Sequence, residues 1–475
     1  MRLPVLLLAC FIGSMTVASA DRPPNFVVIF CDDMGYADIG PFGAQGYQTP
    51  HLDRMAAEGI KFTDFYVGRS FCSPSRAALL TGCNPTRVGV NGNFSPHSKN
   101  GLHTDEMTIA DVLKQKGYAT ACFGKWHLGS LPEFLPTAQG FDEYFGIPYS
   151  NDMWPYHPGV RHLTMAQRLK KWPHLPLIEG TEVINPQMGP DDQVGLTTRL
   201  FDRGVKFIQD HKDEPFFIYL PSPQPHVPLF VSQRYDGKSE RGLYGDVISE
   251  IDWGVGQIFA ALKEASIDKN TCVVFTSDNG PWLSYGDHAG SAQPLREGKG
   301  TNFEGGFRVC CLMRWPGTIP PGAQCHEIAA TIDLLPTFAK LADAPLPKNK
   351  IDGHDILPLM SGDKDAQTPH QAYYYYDGAA RLRAVRSGKW KLMFPQPYNS
   401  PIPGHGGLPG MGNRKQLPLS LFDLRSDIGE TTNVADHHVD VVARLTQLAD
   451  NIRKELGDGK ENVGTERRPL GGGRR

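Results

Sequence analysis

Several features that would assign a chain to a common class of protein are missing from this sequence. The 475 residues carry 48 Lys and Arg against 51 Asp and Glu, a net charge of −3, and the basic residues are scattered rather than clustered. This balance argues against a face that binds nucleic acid. After residue 20, no apolar run approaches the length of a membrane-spanning helix, so we expect no membrane partner.

Cysteines in metal-binding spacing are also missing. None of the nine cysteines belongs to a paired C-x-x-C motif, which argues against the common structural zinc sites. Cys31, Cys122 and Cys272 lie in apolar runs, where a thiol behaves as a small hydrophobic side chain. We therefore predict no specific disulfide.

The N-terminus has the layout of a cleavable signal peptide. Arg2 precedes an apolar run from Leu3 to Val17, and small residues follow up to Ala20. We predict a signal peptide over residues 1–20 and a secreted or periplasmic location, or a lysosomal one if the source is eukaryotic. A membrane anchor is the alternative, but polar residues and a proline interrupt a run that is barely long enough to span a bilayer.

Buried strands alternate with helical patterns over residues 21–343. Four short apolar runs are rich in Val, Ile, Phe and Tyr and lack alternation, as central strands do: Phe26–Phe30, Ala119–Phe123, Phe216–Leu220 and Thr271–Phe275. Helical periodicity lies between them at 49–59, 108–116 and 244–262. The pattern predicts an α/β domain with a large mixed, mostly parallel sheet flanked by helices.

A smaller domain is expected after this one. Residues 344–372 begin with a stretch rich in Pro, Lys and Gly and are interpreted as a linker. Residues 373–460 contain four short apolar runs and then an amphipathic helix, which predicts an α+β subdomain with an antiparallel sheet. Residues 461–475 are rich in Gly and Arg and are predicted to be a flexible tail.

Acidic side chains follow two of the predicted central strands. Asp32 and Asp33 come directly after the first run, and Asp278 and Asn279 follow the fourth. Ligands gather at the carboxyl ends of strands in such sheets, and carboxylate and amide oxygens favour a hard cation such as Ca²⁺ over Zn²⁺. The alternative is that each acidic pair only forms a turn at a strand end.

The segment Cys72-Ser73-Pro74-Ser75-Arg76 precedes a short helical run that ends at Gly82. Proline suits the first helical position and glycine the C-terminal exit, so Cys72 should lie just before a helix N-terminus. Free backbone amides and the helix dipole favour an anion at this point.

Cys-x-Pro-Ser-Arg is also the signature that formylglycine-generating enzymes recognise in sulfatases. Nearly the whole chain after residue 20 resembles the arylsulfatase branch of that family, within the alkaline phosphatase superfamily. Further matching segments, in the family order, are Asn25–Asp38, Gly124–Gly129, Pro225–Pro228, Ser277–Gly280, Gly298–Thr301, Arg386–Leu392 and Leu421–Leu424. The resemblance implies a sulfatase that cleaves sulfate monoesters of carbohydrates or aryl compounds.

The resemblance also implies roles for individual residues. The metal ligands for Ca²⁺ would be Asp32, Asp33, Asp278, Asn279 and residue 72, a cysteine oxidised to formylglycine by a maturation enzyme. Arg76 would stabilise that group, and Lys125 and Lys299 would grip the sulfate. His226, helped by Lys299, would protonate the leaving oxygen, and His127 would take a proton as sulfate is released. Ser150 resembles a substrate-binding serine, although a turn serine is an equal alternative.

Two other functions stay open. A formylglycine-dependent phosphodiesterase or phosphonate monoester hydrolase would use a related site, and a secreted, calcium-stabilised carbohydrate-binding protein would use the oxygens without catalysis. Residues 153–191 hold Trp154, Tyr156, His157, Trp172 and His174, which could stack on a substrate ring or only pack the segment onto the domain.

Overall fold

The computed structural model describes residues 22–472. Its strands are β1 Asn25–Cys31, β2 Ile60–Tyr66, β3 Asn100–Gly101, β4 Ala119–Lys125, β5 Glu143–Ile147, β6 Leu177–Glu179, β7 Glu182–Asn185, β8 Phe216–Leu220, β9 Thr271–Ser277, β10 Arg308–Arg314, β11 Ala323–Cys325, β12 Ala329–Ala330, β13 Tyr373–Tyr376, β14 Leu382–Ser387, β15 Trp390–Met393, β16 Gln396–Pro401, β17 Gly412–Leu417, β18 Ser420–Asp423, β19 Gly457–Asp458, β20 Asn462–Val463 and β21 Gly471–Gly472. Its α-helices are α1 Pro50–Glu58, α2 Cys72–Thr81, α3 Ile109–Lys114, α4 Met165–Lys171, α5 Pro190–Val194, α6 Leu196–Asp210, α7 Leu243–Glu264, α8 Glu304–Phe307, α9 Leu334–Leu341, α10 Leu357–Met360 and α11 Val439–Leu456.

The large sheet is mixed and mostly parallel, which confirms the predicted fold class. Its strand order is β11-β2-β10-β9-β1-β8-β4-β5-β6-β7, and β12 also pairs with β2. The five strands β9, β1, β8, β4 and β5 run parallel at the centre. The four predicted central strands are β1, β4, β8 and β9 of this group.

Both faces of the sheet are covered by helices. Phe26, Val28 and Phe30 of β1 belong to a core shared with α2, α3 and α9. Val27 and Ile29 belong to a second core shared with α1, α6 and α7. Because water reaches neither face, the strand is apolar at nearly every position rather than at every second one.

The helix boundaries follow local sequence signals. At the start of α3, Thr108 and Asp111 form a reciprocal capping box in which each side chain accepts a backbone N–H of the other. Pro50 opens α1 and Gly59 ends it. Helix α2 begins at Cys72, so Pro74 is its third residue rather than its first as expected. Proline is tolerated there because the N–H groups of a first helical turn have no partner within the helix.

The C-terminal subdomain is an antiparallel sheet of β13, β14, β15 and β18 packed against α11. All four strands and the helix correspond to predicted segments. The hairpin of β16 and β17 was not expected, because its strands are mostly exposed and lack an apolar pattern. The expected linker, residues 344–372, packs against the large domain through the buried side chains Ile356 and Met360.

The segment expected to be a flexible tail makes specific contacts over its described part, residues 461–472. Strand β20 pairs with β19, and β21 pairs with β3 of the large domain. The Arg468 guanidinium forms an ion pair with Glu106. The high glycine content predicts a flexible backbone. In the structure, however, glycines of this segment lie in paired strands, and arginine side chains donate hydrogen bonds to carbonyl and carboxylate oxygens.

Other expectations concern the N-terminus and the cysteines. The predicted signal peptide, residues 1–20, lies outside the described residues. Within residues 22–472 no helix is both long enough and apolar enough to cross a membrane. The eight cysteines of this part of the chain are all buried and none is in a disulfide.

Candidate active site

The two acidic strand ends lie side by side. Strands β1 and β9 are parallel neighbours in which Cys31 pairs with Ser277, so the residues that follow emerge together. The Asp278 amide donates to the Cys31 carbonyl at 2.9 Å, and the Asp33 amide donates to Asp278 Oδ1 at 3.1 Å. All of these side chains are buried. The pairing register of β1 and β9 therefore places the predicted metal ligands next to one another at the carboxyl ends of these strands.

The turns that carry these ligands are held in unusual backbone conformations. Asp33 has a φ of 64°, in the left-handed region that few residues other than glycine adopt. A Cβ atom at Gly280 would lie 1.7 Å from the Gly305 carbonyl oxygen, so no other residue fits there. The close approach of these two glycines holds the Asn279 turn against the segment that leads from Lys299 to α8.

Cys72 meets the acidic cluster from the helix side. Its side chain is only 1% exposed, its Sγ lies 3.3 Å from Asp32 Oδ1, and the Lys299 ammonium lies 3.2 Å from the same sulfur. Lys299 Nζ also donates to Asp33 Oδ1 at 2.5 Å. The first residue of α2 therefore lies between a carboxylate and an ammonium group, at a helix end that favours negative charge.

Three further predicted residues close the other side of the cluster. Lys125, the last residue of β4, pairs with Asp32 and donates to Ser150 Oγ at 3.0 Å. Arg76, one helical turn after Cys72, donates to Asp278 Oδ2 at 2.8 Å and to the Lys125 carbonyl at 2.7 Å. Both cations are fully buried, so only the surrounding carboxylates balance their charge.

The two predicted histidines differ in how their rings are held. Nε2 of His127 lies 2.9 Å from the Phe94 carbonyl, and its buried Nδ1 has no hydrogen-bond partner among residues 22–472. Because a carbonyl only accepts, Nε2 carries the proton and Nδ1 is a free acceptor. Nδ1 of His226 lies 2.6 Å from the Val227 carbonyl, and its Nε2 lies 3.5 Å from Asp33 Oδ2. A second proton on His226 would therefore sit at Nε2, beside Asp33.

Burial and charge set the protonation of these groups. Burial raises the pKa of the Asp32 carboxyl, but the positive charges of Lys125, His226 and Arg76 outweigh it and hold that pKa well below its usual range. Burial lowers the pKa of Lys299, but Asp33 outweighs this and raises the pKa well above its usual range. Burial and the charge of Asp32 raise the pKa of the Cys72 thiol, so the unmodified side chain is a neutral thiol and a weak nucleophile.

The residues present fit a hard divalent cation. Asp33 Oδ2 and Asn279 Oδ1 are buried and accept no hydrogen bond within the described chain. An oxygen in that position costs stability unless a proton or a metal reaches it. Cys72, which was expected as a ligand, and His226, which was not, each bring a potential ligand atom within 4.8 Å of those of Asp32 and Asp33. The nearby thiol is neutral, and the two unsatisfied atoms of the acidic cluster, on Asp33 and Asn279, are both oxygens, which is the donor type that calcium prefers.

Comparison with known proteins decides the family. The sequence profile of the family described as Sulfatase matches residues 24–344, more than half of the chain. Arylsulfatase A of Bos taurus is 40% identical over 451 residues, which cover 90% of this chain and 86% of the bovine protein. The chain belongs to the sulfatase family. It is therefore an enzyme that hydrolyses sulfate esters.

Other comparisons extend the match of this sulfatase into its C-terminal part. A profile described as the C-terminal region of aryl-sulfatase matches residues 368–469, and one described as N-sulphoglucosamine sulphohydrolase, C-terminal, matches residues 298–399. N-acetylgalactosamine-6-sulfatase of Canis lupus familiaris is 36% identical, over 96% of this chain and 91% of its own. The crystal structure of PsFucS1 sulfatase from Pseudoalteromonas sp. superposes with a TM-score of 0.83 at 26% identity, covering 91% of this chain and 90% of that one.

The structure brings every site residue expected from the sequence into one cluster or its immediate wall, and it adds two more. Asp152 lies close enough to His226, Lys125 and Lys299 that their charges, against burial, hold the pKa of its carboxyl below the usual range. The Trp282 ring packs 5.5 Å from His226 and 4.7 Å from the Lys299 ammonium. Asp152 lies two residues after Ser150 and Trp282 lies two residues after Gly280, and this nearness to predicted site residues was the signal that the sequence offered.

Proposed function

We propose that this sulfatase cleaves sulfate monoesters of carbohydrates or aryl alcohols, with a formylglycine made from Cys72 and a calcium ion held by the surrounding oxygens. The observation that carries the proposal is the position of Cys72. Its Sγ lies 3.3 Å from Asp32 and 3.2 Å from Lys299, in a cluster with unsatisfied oxygens of Asp33 and Asn279. A neutral thiol is a poor ligand for a hard cation, whereas a residue 72 oxidised to formylglycine would place an oxygen atom in this cluster.

The groups that the chain does not itself encode would supply two kinds of chemistry. Formylglycine, as its hydrate, supplies a hydroxyl that attacks sulfur and a second one whose deprotonation lets sulfate leave. Calcium, held by Asp32, Asp33, Asp278 and Asn279, supplies positive charge opposite the sulfate oxygens.

The remaining positive charge comes from side chains of the chain. Lys125, Lys299 and Arg76 converge on the carboxylates and would neutralise the charge of the bound sulfate ester. Ser150, held by the Lys125 ammonium, presents a hydroxyl beside them. Because these groups are buried and already held in place, little reorganisation is needed when the substrate binds.

Proton transfer falls to the two histidines. Burial lowers the pKa of the His226 ring, and the negative charge of Asp33 offsets this only in part. His226 would hold a proton at Nε2 for the leaving oxygen through its contact with Asp33, next to Lys299, which is itself fixed by Asp33. His127 offers an unpartnered Nδ1, and burial together with Lys125 and Arg76 holds the pKa of its ring well below the usual range. A neutral imidazole of this kind can accept the proton that leaves with sulfate release.

Replacement of Cys72 tests this assignment. Cys72→Ala and Cys72→Ser should each lower turnover of 4-nitrophenyl sulfate by roughly a thousandfold or more, because neither side chain can form the aldehyde hydrate. Cys325→Ala is the matched control: this cysteine lies on an edge strand away from the cluster and should keep wild-type turnover. Near-normal hydrolysis by Cys72→Ser would contradict the assignment.

The same assay separates the two alternative functions. A phosphodiesterase or phosphonate monoester hydrolase would turn over a 4-nitrophenyl phosphodiester or phosphonate faster than the sulfate. A carbohydrate-binding protein would turn over none of them. We expect the sulfate to be the preferred substrate, in a protein exported through its N-terminal signal and matured by a formylglycine-generating enzyme.

A further inference from the structure

A basic segment lies beside the active site. Residues 153–178 contain no Asp or Glu, yet they hold four Lys and Arg side chains, Arg161, Arg168, Lys170 and Lys171. The chain as a whole has slightly more acidic than basic residues, so this local excess is not a property of its composition. Basic residues in the last turn of α4 complement the helix dipole, but Arg161 precedes that helix and has no such role.

The segment forms one wall of a cavity of about 340 Å³. Its lining includes Trp154, Tyr156, Arg161, Arg168, Phe230 and His288, and the Trp154 and Phe230 rings contact each other edge to face with centroids 5.9 Å apart. The tip of the β16–β17 hairpin, Gly406 and Gly407, closes it. The volume falls within the range of small-molecule binding sites.

The cavity shares its walls with the active site. Its lining residue Pro228 follows His226 by two positions, and the Pro228 carbonyl accepts a hydrogen bond from Asn151, the neighbour of Ser150. His288 ends the 3-10 turn Leu283–His288, which begins directly after Trp282, the residue packed on Lys299. The cavity is therefore lined by the same chain segments that carry His226, Ser150 and the Trp282 ring.

The positive charge of this cavity is not neutralised by the protein. Arg168 Nε donates to the Leu163 carbonyl at 2.9 Å, and its NH2 donates to the Arg161 carbonyl. Within residues 22–472 neither Arg161 nor Arg168 forms an ion pair with a carboxylate. The adjacent acid, Asp287, already pairs with His405 at 2.9 Å and accepts from the Gly406 amide. His288 Nδ1 is buried and has no hydrogen-bond partner in the described part of the chain.

We propose that this cavity is a subsite for a second acidic group, a sulfate or a carboxylate, on a sugar next to the one whose sulfate ester is cleaved. A guanidinium matches the planar arrangement of two anionic oxygens, and aromatic side chains offer flat apolar faces to a sugar ring. This proposal rests on the proposed function and narrows its substrates to oligosaccharides that carry more than one acidic group. Simple aryl sulfates would use the cluster around Cys72 alone.

The test is a binding titration that needs no turnover. The Cys72→Ala protein is titrated by calorimetry with three oligosaccharides of equal length: one monosulfated and otherwise neutral, one disulfated, and one monosulfated with a uronate. We expect at least one of the two oligosaccharides that carry a second acidic group to bind about tenfold more tightly than the monosulfated one without it, since a charge-assisted pair has that effect. The oligosaccharide that gains affinity identifies the second group as sulfate or carboxylate.

Variants of the basic segment test whether the tenfold advantage in affinity arises in this cavity. Arg161→Ala combined with Arg168→Ala should remove the tenfold advantage. Lys170→Ala, which deletes an exposed positive charge of the same segment outside the cavity lining, should keep it. If the double variant does not fold, Arg161→Ala carries the test, because the guanidinium of Arg161 makes no hydrogen bond within the described chain and its loss leaves the packing intact.

Three results would overturn the subsite. The first is equal affinity of the Cys72→Ala protein for the three oligosaccharides. The second is an affinity advantage that persists when Arg161→Ala and Arg168→Ala are combined, and the third is an equal loss of that advantage in Lys170→Ala. Failure of the proposed function looks different, because it would be seen as absence of 4-nitrophenyl sulfate hydrolysis by the wild-type enzyme. The titration measures binding and not hydrolysis, so its result does not depend on whether the wild-type enzyme hydrolyses 4-nitrophenyl sulfate.

Discussion

Asp33 and Asn279 each bury an oxygen atom that receives no hydrogen bond from the described chain. Three carboxylates lie around these atoms, and burial together with the charge of Asp32 raises the pKa of Asp278 to about 7. Lys125, Lys299 and Arg76 match these carboxylates in number, so the unsatisfied oxygens, rather than an excess of negative charge, indicate a metal ligand set. At the scale of single residues, the cluster is thus arranged for a cation that the chain does not supply.

Removal of calcium should therefore lower both activity and stability. A chelator is expected to lower the thermal unfolding midpoint by several degrees, because the ion binds only the folded state, and to abolish sulfate hydrolysis. The measurement is thermal unfolding and turnover before and after chelation, then with calcium, magnesium or zinc restored. Recovery with calcium alone is the expected result.

A pair of asparagine variants ties this effect to the site. Asn279→Leu should shrink the calcium-induced shift in the unfolding midpoint. Asn302→Leu should preserve it, because the Asn302 amide instead binds Gln396. Unchanged activity and midpoint after exhaustive chelation, or recovery with zinc alone, would contradict the calcium assignment.

At the scale of elements, the central strands and most helices could be predicted because their signals are local. β1, β4, β8 and β9 are buried on both faces and are therefore continuous apolar runs. The capping box of α3 is complete within four residues. The edge hairpin of β16 and β17 has no such signal, since its conformation depends on contacts of its tip with the Leu283–His288 turn.

The candidate site also contains residues that could be placed from local sequence signals and residues that could not. Asp32, Asp33, Asp278 and Asn279 could be placed because strand ends of a parallel sheet meet at one edge. The roles of Cys72, Lys125 and Lys299 required the resemblance to a family, since a single lysine or cysteine carries no such meaning by itself. The cavity beside Arg161 could not be predicted, because it is formed by segments more than 200 residues apart, at Arg161 and Gly406.

The linker over residues 344–372 contains a contact whose strength should depend on pH. His370 Nε2 lies 2.9 Å from both carboxylate oxygens of Asp333, at the start of α9. Burial lowers the pKa of His370, but Asp333 outweighs burial and raises that pKa above 6.5. The stabilisation is therefore fully present below about pH 6.5 and is lost as pH rises through the raised value.

His370→Phe should accordingly lower the free energy of unfolding by about 1.5–3 kcal/mol at pH 6 and by clearly less at pH 9. Urea unfolding at the two pH values measures the difference. His354→Phe is the matched control: His354 packs 5.0 Å from His370, but burial and the charge of His370 lower the pKa of its ring. Its loss should not weaken the protein more at pH 6 than at pH 9. An equal effect of His370→Phe at both pH values would contradict a charged pair.

At the scale of the whole molecule, a buried ionic group joins the two domains. Lys391 of β15 lies 2.9 Å from Glu304 and 2.8 Å from Glu430, and all three side chains are buried. Tyr66 and Tyr375 also donate to Glu304. Burial raises the pKa of Glu430 to about 7, because Lys391 offsets it only in part. Since Glu304 begins α8, five residues after Lys299, this contact also supports the active-site segment.

Lys391→Met should lower the free energy of unfolding by about 3–5 kcal/mol, because it removes the buried cation that lies between two buried carboxylates. Lys389→Met is the control: this lysine is more exposed and pairs with Asp423 at the surface, so its loss should cost no more than about 1 kcal/mol. Urea unfolding of both variants gives the comparison. Similar losses would show that the buried group does not hold the domains together.

The chemical state of residue 72 tests the central claim most directly. Trypsin releases the peptide Ser70–Arg76, whose mass distinguishes a cysteine from a formylglycine at position 72. The protein should be prepared from a host that has a formylglycine-generating enzyme, and the fraction converted should be compared with the turnover of 4-nitrophenyl sulfate. We predict that the aldehyde form is present and that activity rises in proportion to it. An active enzyme whose peptide carries only the unmodified thiol would contradict the account.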